Sequence, residues 1–296
     1  MKETESLKEK LGYWTYASMA WLSTKLPERT GRLVFRIGGR LAFMSAKVAR
    51  ATVSANLSQV MGLPSDSELL RASVREAFER YAEYWYETFR LRVMSEAELL
   101  ARVSGEGLEN MSAAKEAGKG AIAVAAHMGN WDAAGAYVAA SGFEVVAVAE
   151  ALRPKRLLDL FVRHREEIGM KIIPLEKGGK VAKQLTEHLA LNRVVALVAD
   201  RDLSGKGIEV EMFGAPRKLP AGPAVLSTST GAPILVVTVY SEGERWRVRI
   251  GPPVTIEPSG NVREDVAALT RKMAGEFEKA IAASPTNWHM FQPAWP

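Results

Sequence analysis

Four histidines, 34 carboxylates and no cysteine define the chemistry open to this chain. Without a thiol, nucleophilic and proton-transfer roles fall to histidine, carboxylates and hydroxyls, or to a metal held by nitrogen and oxygen. One histidine stands out: His127 closes the apolar run Ala121 to Ala126 and is followed by Met128-Gly129-Asn130-Trp131-Asp132. Across a strand, turn and helix start, a carboxylate at this distance can fold back on one imidazole nitrogen. It would fix the tautomer and leave the other nitrogen as a general base. The backbone N–H groups of Gly129 and Asn130, at the positive end of the next helix, are expected to steady an anion or oxyanion. Spacing by itself carries little weight, because about half a His-x-x-x-x-acid match is expected by chance in such a chain. The argument rests on position, after a buried strand and before a helix. His164, His188 and His289 have no acid five residues on and read as structural or surface groups.

Other chemistries find no foothold. The sequence has no Gly-x-Ser-x-Gly elbow, no Gly-x-x-x-x-Gly-Lys-Ser/Thr loop and no His-Glu-x-x-His helix, the local devices of serine hydrolases, phosphate-loop enzymes and zinc peptidases. Gly118-Lys119-Gly120 precedes a strand, the wrong order for a dinucleotide fingerprint. No bound metal or permanent cofactor is expected.

The elements that must position His127 can be read from periodicity. Ala121–Ala126, Glu144–Val148, Lys171–Pro174 and Val194–Ala199 are short apolar runs separated by helical stretches, the alternation of an α/β sheet. Buried parallel strands read this way, and ligands gather beyond their carboxyl ends. His127, Glu150 and Asp200 stand at or just past such ends. Ile234–Tyr240 and Trp246–Ile250 read as an antiparallel hairpin joined by residues 241–244, and Arg263–Ala282 as a closing helix. Upstream, Arg75–Leu91 places Phe78, Tyr81, Trp85 and Phe89 on one helical face, a packing stripe. The first 26 residues carry Leu7, Leu11, Trp14, Ala17, Trp21 and Leu22 at helical spacing before Pro27. Their aromatics, with Lys8, Lys10, Lys25, Arg29, Arg32, Arg36 and Arg40 nearby, suit an anionic membrane interface.

With 296 residues, 47% of them hydrophobic and 25% charged, the chain is globular in composition. Absence of cysteine fits a reducing compartment. The net charge of +5 favours anionic partners, yet no nucleic-acid motif accompanies it. No run approaches the length needed to span a bilayer, and the acidic start is unlike a secretory signal. The expectation is one domain over residues 1–296, with a membrane-interfacial helical segment at 1–45 and a catalytic core at 46–296.

At this point a resemblance enters. His127-Met128-Gly129-Asn130-Trp131-Asp132 resembles the His-x-x-x-x-Asp signature of the glycerolipid and lysophospholipid acyltransferase superfamily. Within it, the chain is most similar to the bacterial branch that holds the late lipid A acyltransferases and the actinobacterial phosphatidylinositol mannoside acyltransferases. Arg165-Glu166-Glu167-Ile168-Gly169 is similar to the branch's Arg-x-x-x-Gly block. Ala199-Asp200-Arg201-Asp202, Phe213-Gly214 and Pro220-Ala221-Gly222-Pro223 resemble its third block, and Pro285, Trp288, Phe291 and Trp295 its ending. The stretch Asp200 to Val210 looks closer to the mannoside enzymes. Where the glycerolipid acyltransferases proper carry Phe-Pro-Glu-Gly-Thr-Arg, this chain has Ala199-Asp200-Arg201-Asp202.

The resemblance implies a mixed central β-sheet flanked by helices, an αβα fold with an N-terminal amphipathic helical layer. It implies direct transfer of a fatty acyl group from acyl-CoA to a mannose hydroxyl of phosphatidylinositol mannoside, on the cytoplasmic face of the plasma membrane and without an acyl-enzyme. His127 would be the base and Asp132 its orienting acid. Arg165 would contact phosphate or sugar through its planar fork, and Glu150, Asp200, Arg201 and Asp202 would line the acceptor site. Two other readings stay open: a lipid A type transferase acting on another glycolipid with acyl carrier protein as donor, and a non-catalytic peripheral membrane protein.

Overall fold

The computed structural model describes residues 5–175 and 180–295; residues 1–4 of the expected interfacial segment lie outside it. The chain begins with four helices, α1 (Leu7–Lys25), α2 (Glu28–Ser45), α3 (Lys47–Met61) and α4 (Glu68–Arg90). After α5 (Glu96–Arg102) comes a mixed section: β1 (Val103–Glu106), α6 (Leu108–Glu116), β2 (Ala121–Ala125), α7 (Trp131–Ala140), β3 (Val145–Glu150), α8 (Lys155–Glu167), β4 (Met170–Leu175), α9 (Val181–Ala190) and β5 (Val194–Val198). It closes with β6 (Ile208–Met212), β7 (Ala215–Leu219), α10 (Gly222–Thr230), β8 (Ile234–Glu242), β9 (Arg245–Pro253), α11 (Val262–Ala283) and a 3-10 turn, Pro285–Asn287.

Seven strands form one sheet in the order β1-β9-β8-β2-β5-β3-β4, parallel except for the β8/β9 hairpin. β6 and β7 make a separate antiparallel ribbon. This is the expected α/β arrangement. The hairpin strands run further than periodicity implies, to Glu242 and from Arg245, because Gly243 takes the left-handed conformation, with φ at 66°, that a tight turn needs.

Alternation along the central strands sorts the core into two unlike faces. Ile122 and Val124 of β2, with Val195 of β5 and Ile234 and Val236 of β8, pack under α9, α10 and α11. The opposite face of β2 and β5 presents Ala121, Ala123 and Ala196 towards α6 and α7. Small side chains on that face cannot fill the space beneath α7, and a narrow apolar cavity remains there.

The N-terminal helices pack on α4. Gly39 of α2 lets the two backbones meet: a Cβ there would come within 2.7 Å of the Phe78 carbonyl oxygen. Three arginines of α2 pair with carboxylates of α4. Arg32 bonds Glu87 at 2.7 Å, and Arg36 and Arg40 reach Glu79 at 3.2 and 2.8 Å. Among what α1 and α2 leave in the open are large apolar side chains: Leu7, Leu11, Trp14 and Trp21, then Leu33, Ile37, Leu41 and Met44. Among the described residues, no helix is long and apolar enough to cross a membrane.

Candidate active site

β2 and β5 are parallel neighbours paired through Ala125 and Val198. The chain leaves both strands at the same edge, so His127 and Asp200, each two residues further on, come together. His127 Nδ1 lies 2.5 Å from Asp200 Oδ1. A carboxylate only accepts, so Nδ1 carries the proton and Nε2 of the neutral ring is the basic nitrogen. Asp200 is sealed from solvent while the His127 side chain is 23% exposed, so the pair has a dry end and an open end. Trp288 Nε1 donates to the other Asp200 oxygen at 2.8 Å. Burial alone would raise the Asp200 pKa; the His127 charge, its hydrogen bond and the indole outweigh it and hold the carboxyl at about 2.

Asp132 does not orient His127, contrary to the sequence expectation. Asn130 caps α7 by accepting from the Ala133 N–H at 2.9 Å, which starts the helix at Trp131 and carries Asp132 towards α4 and α8. There it accepts from Arg165 Nε at 2.6 Å and from the Tyr84 hydroxyl at 2.9 Å. Burial opposes ionisation of Asp132, but the Arg165 guanidinium overrides it and depresses the pKa. Arg165 Nε and Nη2 are both on Asp132, so its fork is not open to a phosphate in the way the sequence suggested.

The other expected residues separate into two kinds. Glu150 and Arg201 pair with each other at 2.8 Å on the rim, and Arg201 also bonds Gln292. Asp202 is absorbed by its own loop, accepting from Ser204 N–H and hydroxyl and from Gly207 N–H, so it braces a turn instead of facing a substrate. Nor is the Gly129 N–H available to an oxyanion, since it donates to the Asn287 carbonyl at 2.9 Å. Gly129 is needed for the turn itself: its φ is 56°, and a Cβ would lie 2.4 Å from the Val239 oxygen. His289 is buried and pushed down to about 3 by desolvation, a neutral structural ring that donates to the Gly129 carbonyl.

Beside His127, the Trp131 ring stands at 5.4 Å, edge to face. Trp131, Asp132 and Arg165 also line the apolar cavity, which lies under α7 among Ala123, Ala125, Ala134, Gly135 and Ala196 and has a volume of about 90 Å³. Several methylene groups fit such a slot. Trp131 thus touches both the His127 ring and the apolar cavity.

Sequence reasoning missed three contributors: Tyr84, Arg217, whose Nη2 donates to the Asp200 carbonyl at 2.5 Å, and Trp288 as a partner of Asp200. Tyr84 falls one position off the α4 stripe, and β7, Ala215-Pro216-Arg217-Lys218-Leu219, has too little apolar pattern to announce itself.

Comparison with known proteins places the class. The chain belongs to the bacterial lipid A biosynthesis acyltransferase family, which it matches over residues 1–296, and it is an acyltransferase. It is 38% identical over 290 residues to the phosphatidylinositol mannoside acyltransferase of Mycobacterium tuberculosis (strain CDC 1551 / Oshkosh), covering 95% of this chain and 88% of that protein. The phosphatidylinositol mannoside acyltransferase of Mycolicibacterium smegmatis (strain ATCC 700084 / mc(2)155) is 36% identical over 284 residues, covering 95% and 90%.

The ionised Asp200 also links stability to pH. Its folded-state pKa of about 2 lies below the ordinary 3.8, so the unfolded chain takes up the proton first. The contribution is fully present above about pH 5 and is lost as pH falls through 4 towards 2, by ~2 kcal/mol. Urea unfolding at stepped pH is expected to show this slope, and Asp200→Asn to flatten it.

Proposed function

We propose that the protein moves a fatty acyl group from acyl-CoA to a mannose hydroxyl of a phosphatidylinositol mannoside, with His127 as general base. The observation that carries this reading is the His127–Asp200 pair: one ring nitrogen anchored on a buried carboxylate, the other left for a proton, beside an apolar slot under α7. The names of the relatives support the choice of acceptor.

In the reaction, Nε2 takes the hydroxyl proton as the oxygen bonds to the thioester carbon. The carbon–sulfur bond breaks with its electron pair going to sulfur, and the imidazolium returns the proton to the thiolate, leaving an ester and a free thiol. Such proton transfer contributes roughly 10²–10⁴ in rate. Asp200 holds the tautomer and stabilises the imidazolium. Asp132, Arg165 and Tyr84 position rather than react, tying the start of α7 to α8 and α4 so that Trp131 stays beside His127.

The acceptor is a lipid, and the exposed Leu and Trp side chains of α1 and α2 suit a membrane interface. Lys8, Lys10, Lys25 and Arg29 are exposed and suit anionic headgroups, while Arg32, Arg36 and Arg40 of α2 pair with α4. Acyl-CoA is an intracellular donor, which puts the reaction on the inner leaflet.

Mass spectrometry of products tests the reading. The protein is incubated with acyl-CoA or acyl carrier protein thioester, and with vesicles bearing phosphatidylinositol mannoside or a lipid A precursor. An acyl-shifted mannoside formed from acyl-CoA is expected; product on the lipid A precursor alone would reject the proposed acceptor.

A further inference from the structure

A second cavity, about 420 Å³, lies behind the catalytic pair between the β6/β7 ribbon and the C-terminal tail. Arg217, Arg201, Lys218 and Trp295 line it together with Asp202 and Glu209. Arg217 is 96% buried, being 4% exposed, and among the described residues no carboxylate pairs with it. Its Nη2 is used on the Asp200 carbonyl, while Nε and Nη1 are buried without a hydrogen-bond partner. Two more buried donors of the same wall are also unmatched, Arg201 Nε and Trp295 Nε1. Unsatisfied buried groups are scarce in folded proteins, and here four N–H-bearing nitrogens without a partner belong to three residues that line one cavity, and none is an acceptor.

Packing does not account for them. The Arg217 guanidinium lies 5.7 Å from the Trp288 ring and 5.2 Å from the Trp295 ring. Indole faces hold the flat side of a guanidinium, whereas the N–H groups project from its edge. The acidic neighbours do not make this a cation site: Asp202 is committed to Ser204 and Gly207, which leaves Glu209, a solvent-exposed residue of β6, as the remaining carboxylate on its lining. The wall is held firmly. Asn56 donates to the Met290 and Gln292 carbonyls and accepts from the Ala294 N–H, which pins the tail that carries Trp295.

We infer that this cavity binds a phosphate group, with Arg217 as the buried anchor, Arg201 and Trp295 as further donors and Lys218 closing the rim. Several unpartnered donors on the walls of one cavity suit a tetrahedral oxyanion, and arginine is the side chain best shaped for it. The site stands on geometry alone; naming its natural source rests on the proposed reaction, in which donor and acceptor both carry phosphate esters. Because Arg217 also holds the Asp200 carbonyl, a phosphate seated here lies one residue from the acid that orients His127.

The test follows the Trp295 indole N–H by nuclear magnetic resonance in the full chain, assigned with Trp295→Phe, during titration with inorganic phosphate, coenzyme A, 3′-dephospho-coenzyme A and inositol 1-phosphate. A saturable shift is expected, weakened roughly tenfold or more in Arg217→Gln by loss of charged hydrogen bonds and less in Arg217→Lys. Tighter binding of coenzyme A than of its dephospho form assigns the site to the donor, and tighter binding of inositol 1-phosphate assigns it to the acceptor. Equal binding of inorganic phosphate and all the esters leaves a free phosphate site. Circular dichroism checks each fold. Should Arg217→Gln not fold, the exposed-rim variant Lys218→Ala must still weaken binding. No shift of Trp295 with any of these ligands at millimolar concentration overturns the inference, as does a shift unchanged in a folded Arg217→Gln protein. Turnover is not needed, so failure of acyl transfer with phosphate binding intact would reject the reaction and leave this site standing.

Discussion

Replacing His127 by alanine is expected to lower kcat by roughly 10²–10⁴ without unfolding the chain, the span a positioned general base contributes. The side chain is partly exposed and its described hydrogen bond is to one carboxylate, so its removal leaves a pocket that water can enter. The backbone link from His289 N–H to the His127 carbonyl, 2.6 Å, survives the substitution. KM for both substrates should move little, since the ring acts on the proton in flight more than on bound ground states. Steady-state kinetics with circular dichroism on the same preparation separates loss of chemistry from loss of fold. Full activity in folded His127→Ala would remove the mechanism.

The largest effect on stability is expected at Asp132. Asp132→Leu would strand the Arg165 guanidinium, which is largely buried and held charged by that carboxylate even though burial opposes it. Breaking one side of a buried pair costs about 3–5 kcal/mol. The Tyr84 hydroxyl, fully buried, would lose its acceptor as well. If the cost arises from the stranded cation, adding Arg165→Met should recover much of it, because a dry apolar pair can replace a buried ion pair at small net cost. Urea unfolding of the single and double variants measures both; equal destabilisation in the two would show that the pair is not the cause.

The contrast between His127 and Asp132 shows how far the residues could be read without coordinates. Apolar strand runs were legible because a sheet buried on both faces demands them, and they set the edge at which His127, Glu150 and Asp200 gather. Which carboxylate meets the imidazole was not legible. Local spacing nominated Asp132, five residues on, while strand order decides the matter: β5 lies beside β2 in the sheet, although β3 and β4 come between them in sequence and the chain travels about 70 residues from one to the other. Asp200 was recognised as an edge residue and given a substrate role because nothing local shows a neighbour in the sheet. The ion pairs of Arg32, Arg36 and Arg40 were hidden for a related reason. A basic helix reads as a free surface, and only the packing of α2 against Glu79 and Glu87 of α4 reveals that these three charges are paired with carboxylates, Arg32 largely buried and Arg36 and Arg40 still half exposed. The alanine-rich face of β2 and β5 left the cavity under α7, a consequence of small residues that becomes visible once the two faces of the sheet are known.

The sharpest comparison is kcat for Asp200→Asn against wild type at saturating donor and acceptor, with His127 ring protonation followed by ¹⁵N resonances in the same samples. An asparagine can present its amide to Nδ1, which would drive the proton to Nε2 and block the base. The account predicts a fall of at least roughly a hundredfold, with the ring switched to the Nε2–H tautomer and the protein still folded. An Asp200→Asn enzyme that acylates at the wild-type rate would contradict it.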